Sequence, residues 1–322
     1  EGQALLAQVG PLEAKADVVK LVSSLRAQGH DAGLVAAVLT QAKLRRRAVA
    51  KFGPFAERMI FTEAGLEQAS RLSVAALHAN RFRQAGIGEV ADLGCGIGAE
   101  SMALASLDIN VKAFEIDEVT AAVATYNLSP FENAFVEQAD VTNLDLSKFE
   151  GLFFDPARRE LGGPSRERAT RKFDPAAFSP TFDFVVEAAA KKPTGVKFGP
   201  GHPHEGIPAN AEAQWVSVDG DLVELGLWFG AVARPDVKRS ALLINGNAKH
   251  EIISHSAERQ DAPIAELSAY VYEPDNAVVR SHLIGQLAEQ IEAHLFAPEI
   301  AYLTSDKEIS SPWLKGYKVL DN

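Results

Sequence analysis

Cysteine is nearly missing from this sequence: Cys95 is the one thiol among 322 residues. No internal disulfide can form and no zinc site can be built from cysteines, which points to a reducing compartment, the cytoplasm. Long apolar runs are missing as well. No stretch approaches the ~18 residues of a membrane span, and the N-terminus carries no signal-peptide pattern, so neither insertion nor secretion is expected. Basic charge is in deficit. Lys and Arg number 32 against 43 Asp and Glu, a formal net charge of −11, which argues against a surface coated throughout for nucleic acid. The chain opens on Glu1 and not on Met, so a trimmed start is expected.

A hydrophobic content of 47% and a charged content of 23% are ordinary for a folded protein, and at ~150 residues per domain the length predicts two or three domains. Glycine is concentrated at one place. In "ADLGCGIGAES", Gly94, Gly96 and Gly98 fall within five residues. Gly94, Gly96 and Ala99 fit the dinucleotide pattern G-x-G-x-x-G/A, so the loop alone leaves the cofactor open. The apolar "EVADL" before it and the helical spacing of "AESMALASL" after it read as strand, turn and helix. Such a turn needs backbone without Cβ, and the free N–H groups of the following helix face whatever it holds. Asp92, two residues before Gly94, suits a ligand with a cationic amino group and favours S-adenosylmethionine over NAD. Glu115 ends the next strand, 115 − 98 = 17 residues beyond Gly98, near the ~20 residues expected for an acid on ribose hydroxyls with either cofactor.

Residues 1–84 read as helical. Asp17 and Asp31 open two amphipathic segments as N-caps, and Thr62 caps a third that runs into the glycine-loop strand. Over residues 85–234, strands and helices alternate, ending in the hairpin-like "AQWVSV" and "LVELGLWFG" around Asp219-Gly220-Asp221, as in a mostly parallel sheet with one antiparallel strand. Pro235 marks a boundary. Residues 235–322 read as a small α+β unit: a hairpin about Asn245-Gly246, the strand "LSAYVYE", one helix through "NAVVRSHLIGQLAEQIEAHL" and the strand "IAYLT".

Chemistry in an open α/β sheet belongs at the carboxyl ends of the strands. There the fourth strand, "GLFFD", ends in Asp155-Pro156-Ala157-Arg158. Taken together, DLGCGIG, the acid of FEID, Asp140 of EQAD and DPAR resemble the class I S-adenosylmethionine-dependent methyltransferases, in which amino-methylating members carry D/N-P-P-Y/F/W at the place of DPAR. "FTEAGLEQAS", "FFDPARR", "VKFGPG", "WVSVDGDLVELGLW" and "EPDNAVVR…IAYLTSD" resemble, more closely, a bacterial methyltransferase family with a helical N-terminal region, a ferredoxin-like domain and a THUMP-like C-terminal domain. The resemblance covers nearly the whole chain. It implies an α/β fold with a Rossmann-like seven-stranded sheet over 85–234, a ferredoxin-like α+β domain over 235–322, and a further RNA-associated THUMP-like domain beyond "SPWLKGYKVLDN".

The same resemblance implies site residues. Asp92, Gly94 and Gly96 would contact the methionine part, Glu115 the ribose and Asp140 the adenine amino group, with Cys95, Gly98, Ile116, Val141 and Thr62 completing the cofactor-binding set. Asp155 and the Pro156 carbonyl would receive a target amine, whose delocalised lone pair gains most from positioning. Ala157 stands where the family pattern has its second proline and Arg158 where it has an aromatic ring. A guanidinium can stack on a base or grip phosphate.

The expected activity is direct methyl transfer from S-adenosylmethionine to a base nitrogen of RNA. Two other readings stand beside it: an RNA-binding or scaffold protein that keeps the cofactor site without turnover, and a nicotinamide-dependent oxidoreductase, which Asp92 disfavours. RNA would be met by Arg158, Arg159, Arg166 and Arg168 and by Arg45, Arg46 and Arg47. Covalent pyrimidine C5 methylation needs a thiolate, and Cys95 is committed to the loop. His202 and His204 could line the substrate mouth, but no third ligand accompanies them, so no metal is expected. Trp215 and Trp228 read as core.

Overall fold

The computed structural model describes residues 1–10, 12, 18–158 and 178–320. The chain forms two compact units, Glu1–Leu152 and Phe153–Asn322.

The first unit opens with α1 (Gly2–Val9), α2 (Val18–Ala27) and α3 (Ala32–Phe52). Their shared core holds Leu5, Leu6, Leu25, Val35, Val38 and Ala42, and the last three are spaced to fall on one face of α3. Asp31 caps α3 as expected, its carboxylate accepting from the N–H groups of Gly33 (2.7 Å) and Leu34 (3.1 Å). Gly53, at φ +54°, ends it. The cap expected at Asp17 lies outside the described residues.

The single third helix of the sequence reading is two helices, α4 (Glu63–Gln68) and α5 (Leu72–Gln84). Thr62 does cap the first, accepting from Gly65 N at 3.0 Å. Its early end has a long-range cause: Lys51 Nζ donates to the carbonyls of Leu66, Glu67 and Ala69, occupying oxygens that a continuing helix would have used. Then come β1 (Glu89–Leu93), α6 (Ala99–Ala105), β2 (Asn110–Glu115), α7 (Glu118–Leu128), β3 (Ala134–Gln138) and β4 (Gly151–Phe154). Their order is β4-β1-β2-β3, with β1, β2 and β3 mutually parallel.

In the second unit, a two-residue ladder joins β5 (Ala157–Arg158) and β6 (Phe178–Ser179), followed by α8 (Phe182–Ala189), β7 (Thr194–Phe198), β8 (Glu212–Val218), β9 (Asp221–Phe229), β10 (Arg239–Asn245) and β11 (Ala248–Ser254). The order is β11-β10-β8-β9-β7-β4. β9 runs antiparallel to both β7 and β8, and β10 lies parallel to β8. Trp215 and Trp228 are buried in this core.

The large sheet has nine strands, not the expected seven. The two extra are β10 and β11, the hairpin about Asn245-Gly246, whose successive residues Ala241, Leu242, Leu243 and Ile244 are buried on both faces of the sheet. Local sequence encodes a hairpin but not the edge it joins. The remaining chain, β12 (Tyr270–Pro274), α9 (Asn276–Arg280), α10 (Ile284–Ile291), β13 (His294–Leu295), β14 (Leu303–Ser305) and β15 (Leu314–Lys318), builds a separate antiparallel sheet in the order β13-β14-β12-β15. One helix was expected where α9 and α10 stand. His282, at φ +61°, breaks it.

Candidate cofactor and acceptor sites

At the carboxyl end of β1 the chain turns through Gly94 (φ +91°), Gly96 (φ +55°) and Gly98 (φ +92°), a run of left-handed conformations open to glycine at no steric cost. A Cβ at Gly96 would meet nothing within 4 Å. That side of the loop is open, as a bound ligand requires. The N–H groups of Gly94 and Cys95 donate to Phe114 O at 2.9 and 3.0 Å, stitching the turn to the end of β2.

Glu115 is the hinge of the arrangement. One carboxylate oxygen accepts from Gly96 N and the other from Asp117 N, both at 3.0 Å. The loop and the acid that the sequence reading paired by spacing are thus in direct contact, and a carboxylate with about four acceptor positions retains capacity for ribose hydroxyls. Ile116 is 60% exposed beside it, an apolar surface suited to a flat ring. Val141 is buried, and Asp140 accepts from Thr142 N (2.9 Å) and Thr142 Oγ1 (2.7 Å), capping a turn after β3. Asp92 is 0% exposed and accepts a hydrogen bond from Ser101 Oγ, so it ties α6 to the strand tip as well as standing under the loop. Burial pushes the Cys95 thiol well up, and the neighbouring Asp92 and Glu115 charges push the same way. It stays protonated and unreactive.

Two residues outside the sequence reading shape this loop. Asn127 on α7 accepts from Ile60 N (2.8 Å) and donates to Ile60 O (3.1 Å) and Ile97 O (3.0 Å). Gly65 on α4 has no room for a side chain, since a Cβ there would lie 2.4 Å from Ile97 Cγ2 and 2.7 Å from Thr62 Oγ1. The Thr62 cap thus helps to set α4 directly on the glycine loop.

In the second unit, Asp155 follows β4 and forms an ion pair with Lys197 of β7, Nζ to Oδ2 at 2.5 Å. The Lys197 side chain is only 12% exposed. A lysine within the apolar strand "TGVKF" was the available signal, and it was missed because its partner lies 42 positions away by numbering, 197 − 155 = 42. The ammonium favours the ionised carboxylate. The Arg158 side chain and Arg159, Arg166 and Arg168 lie outside the described residues.

The other arginine cluster is largely engaged. Arg45 Nε donates to Met59 O at 2.7 Å, and Arg47 pairs with Glu63. Arg46 remains exposed. His202 is buried against Phe182 and Phe198 with ring centroids 5.5 and 4.9 Å away, and His204 stacks between Trp215 (5.0 Å) and His282 (3.7 Å). Among the described residues no cluster of His, Cys, Asp and Glu could hold a metal ion, and no helix is long and apolar enough to cross a membrane.

A parallel β1-β2-β3 core with an open glycine turn tied to the acid at the end of β2 is the arrangement of a nucleotide-cofactor site in a methyltransferase-like α/β sheet. Comparison with known proteins agrees: residues 55–156 match the methyltransferase small domain. Residues 1–48 match a domain of unknown function, DUF8688. An uncharacterised S-adenosylmethionine-dependent methyltransferase of Mycobacterium tuberculosis, found in two strains, is 29% identical over 291 residues, which span 86% of this chain and 75% of the relative. A crystal structure described as a methyltransferase from Porphyromonas gingivalis W83 superposes with a TM-score of 0.70 at 20% identity, covering 91% of this chain and 76% of that one. It shares the fold.

Proposed function

We propose that this protein transfers the methyl group of S-adenosylmethionine directly to a base nitrogen of RNA. The cofactor supplies a methyl on a sulfonium, already activated for attack. The observation that carries the cofactor half is the Glu115 carboxylate bonded to Gly96 N beside an unobstructed glycine turn. For the acceptor half, Asp155 and the Pro156 carbonyl are of the chemistry that accepts hydrogen bonds from an exocyclic amine, and the Lys197 ammonium beside Asp155 favours its ionised, accepting form. Ser, Thr and Lys targets on proteins would need a different recognition surface from the arginines that follow Asp155 in sequence, Arg158, Arg159, Arg166 and Arg168. These support a polyanionic substrate.

Calorimetric titration with S-adenosylhomocysteine, beside NAD as a control, tests the cofactor half. Glu115→Ala should weaken binding by ~1–3 kcal/mol, the range for unpaired polar groups. Unchanged affinity in a folded variant removes Glu115 from the site. Transfer of labelled methyl to bulk RNA, followed by nucleoside mass analysis, tests the acceptor half: Asp155→Ala should keep cofactor affinity and lose transfer. Methylation at near wild-type rate, or a methyl found on oxygen, refutes the assigned role.

A further inference from the structure

Outside the proposed active site, the second unit gathers cationic side chains where its β10 begins and its α9 ends. Arg239, first residue of β10, is half-buried; Arg280, last residue of α9, is exposed; His282 follows in the left-handed conformation that breaks the helix. His204 stacks on His282 with ring centroids 3.7 Å apart and planes 15° apart, and Trp215 backs the stack.

The two arginines are almost unused. Among the described residues, Arg239 makes one hydrogen bond, Nη1 to Ser281 O at 3.5 Å, and Arg280 makes one, Nη2 to Pro200 O at 3.5 Å. Each guanidinium carries five N–H donors in a planar fork, and neither has a carboxylate partner among the described residues. Arg234 shows the contrast. Five residues before Arg239, its guanidinium donates to Glu212 Oε1, both oxygens of Glu251 and Ser240 Oγ at 2.7 to 3.0 Å, and its backbone N–H donates to Glu212 Oε2. That arginine is neutralised by its own protein. Arg239 is partly withdrawn from water without such neutralisation, which is costly unless something else supplies the negative charge. Among the described residues, Glu205 is the acid that acts on His282, and Arg259, its other basic neighbour, is paired with Asp261.

From this placement we infer that Arg239, Arg280 and His282 form a binding site for a phosphate group, reached either as free phosphate or as a phosphodiester of the RNA substrate. Two forks of N–H donors match the tetrahedral oxygens of phosphate and can bind it bidentately. The imidazole of His282 adds a third donor when protonated, and the stacked His204 and Trp215 rings fix its plane. The site sits in a chain of net charge −11, so it would draw an anion to a local cationic spot on an acidic molecule. The free-phosphate source is independent of the RNA reading; the phosphodiester source rests on it.

The test uses the whole chain and two probes, inorganic phosphate and a short single-stranded RNA, titrated calorimetrically into wild type and into R239Q/R280Q. Loss of two charge-assisted contacts should weaken the affected probe about tenfold or more, and for RNA should lower the salt slope of binding by about 1.4. Phosphate affected alone identifies free phosphate; RNA affected identifies the phosphodiester. If neither RNA nor its methylation is detected while phosphate binding depends on the two arginines, the RNA reading fails and the site stands. A second readout needs no variant: phosphate added to wild type should move the His282 imidazole proton resonances and raise the pH at which they titrate. Equal affinities for both probes in variant and wild type, with resonances unmoved, overturn the site.

Discussion

Lys197 would matter for the proposed transfer although its own sequence neighbourhood does not mark it out. Its ammonium pairs with Asp155 from within a strand, so Lys197→Met should leave S-adenosylhomocysteine affinity unchanged while slowing transfer. It should also shift the acid limb of the rate–pH profile upward, because a carboxylate that has lost a neighbouring cation protonates more readily. Lys197→Arg, keeping the charge, should recover part of the rate. A profile that does not move in Lys197→Met would reduce Lys197 to a packing role. The contrast with Glu115 is instructive about reading sequences. Glu115 was legible because its distance from the glycine loop is set by one strand–helix–strand repeat, whereas the Asp155–Lys197 pair joins two strands whose adjacency no local spacing encodes. Asp31 and Thr62 were legible for the same local reason: a cap is a contact across two or three residues.

At the scale of elements, α4 is held more by contact than by propensity. Gly65 is a poor helix former, and alanine there gains up to about 1 kcal/mol of helix propensity. Against that stands a Cβ placed 2.4 Å from Ile97 Cγ2, and overpacking of this kind costs about 1–3 kcal/mol. The clash wins: Gly65→Ala should lower the thermal midpoint and weaken cofactor binding together, because Ile97 lies in the glycine loop. A variant that is more stable and binds cofactor normally would show that α4 can lift from the loop freely. The breaks between α4 and α5 and between α9 and α10 were invisible in the periodicity, since their causes, Lys51 on three carbonyls and His282 beneath His204, come from elsewhere in the chain. The β10–β11 hairpin was read correctly as a hairpin and assigned to the smaller sheet. Its apolar residues fit either, and only the pairing with β8 decides.

For the molecule as a whole, the stacked histidines set a dependence of stability on pH. Burial, with His282, Arg239 and Arg280 close by, lowers the His204 pKa to about 4, and His282 is lowered by burial and by Arg239, Arg259 and Arg280, opposed by Glu205. In the unfolded chain both titrate near 6.5. The unfolded state therefore binds more protons in between, so stability is full above pH 6.5 and falls as pH drops from there toward 4. Urea midpoints should decline between pH 7 and 5, above the range where carboxylates titrate, and His204→Phe should flatten that decline. An equal slope in the variant would assign the loss to other groups. Composition foretold the acidic balance of the chain but not where its few unneutralised cations would gather. That depends on which arginines find carboxylates, as Arg234 does and, among the described residues, Arg239 does not. Asn127 has a bearing on modularity. One side chain grips Ile60 from both backbone sides and Ile97 by its carbonyl, so the segment between α3 and α4 is fastened to the glycine loop. A chimera that swaps either for that of another methyltransferase must bring Ile60, Gly65, Ile97 and Asn127 across together.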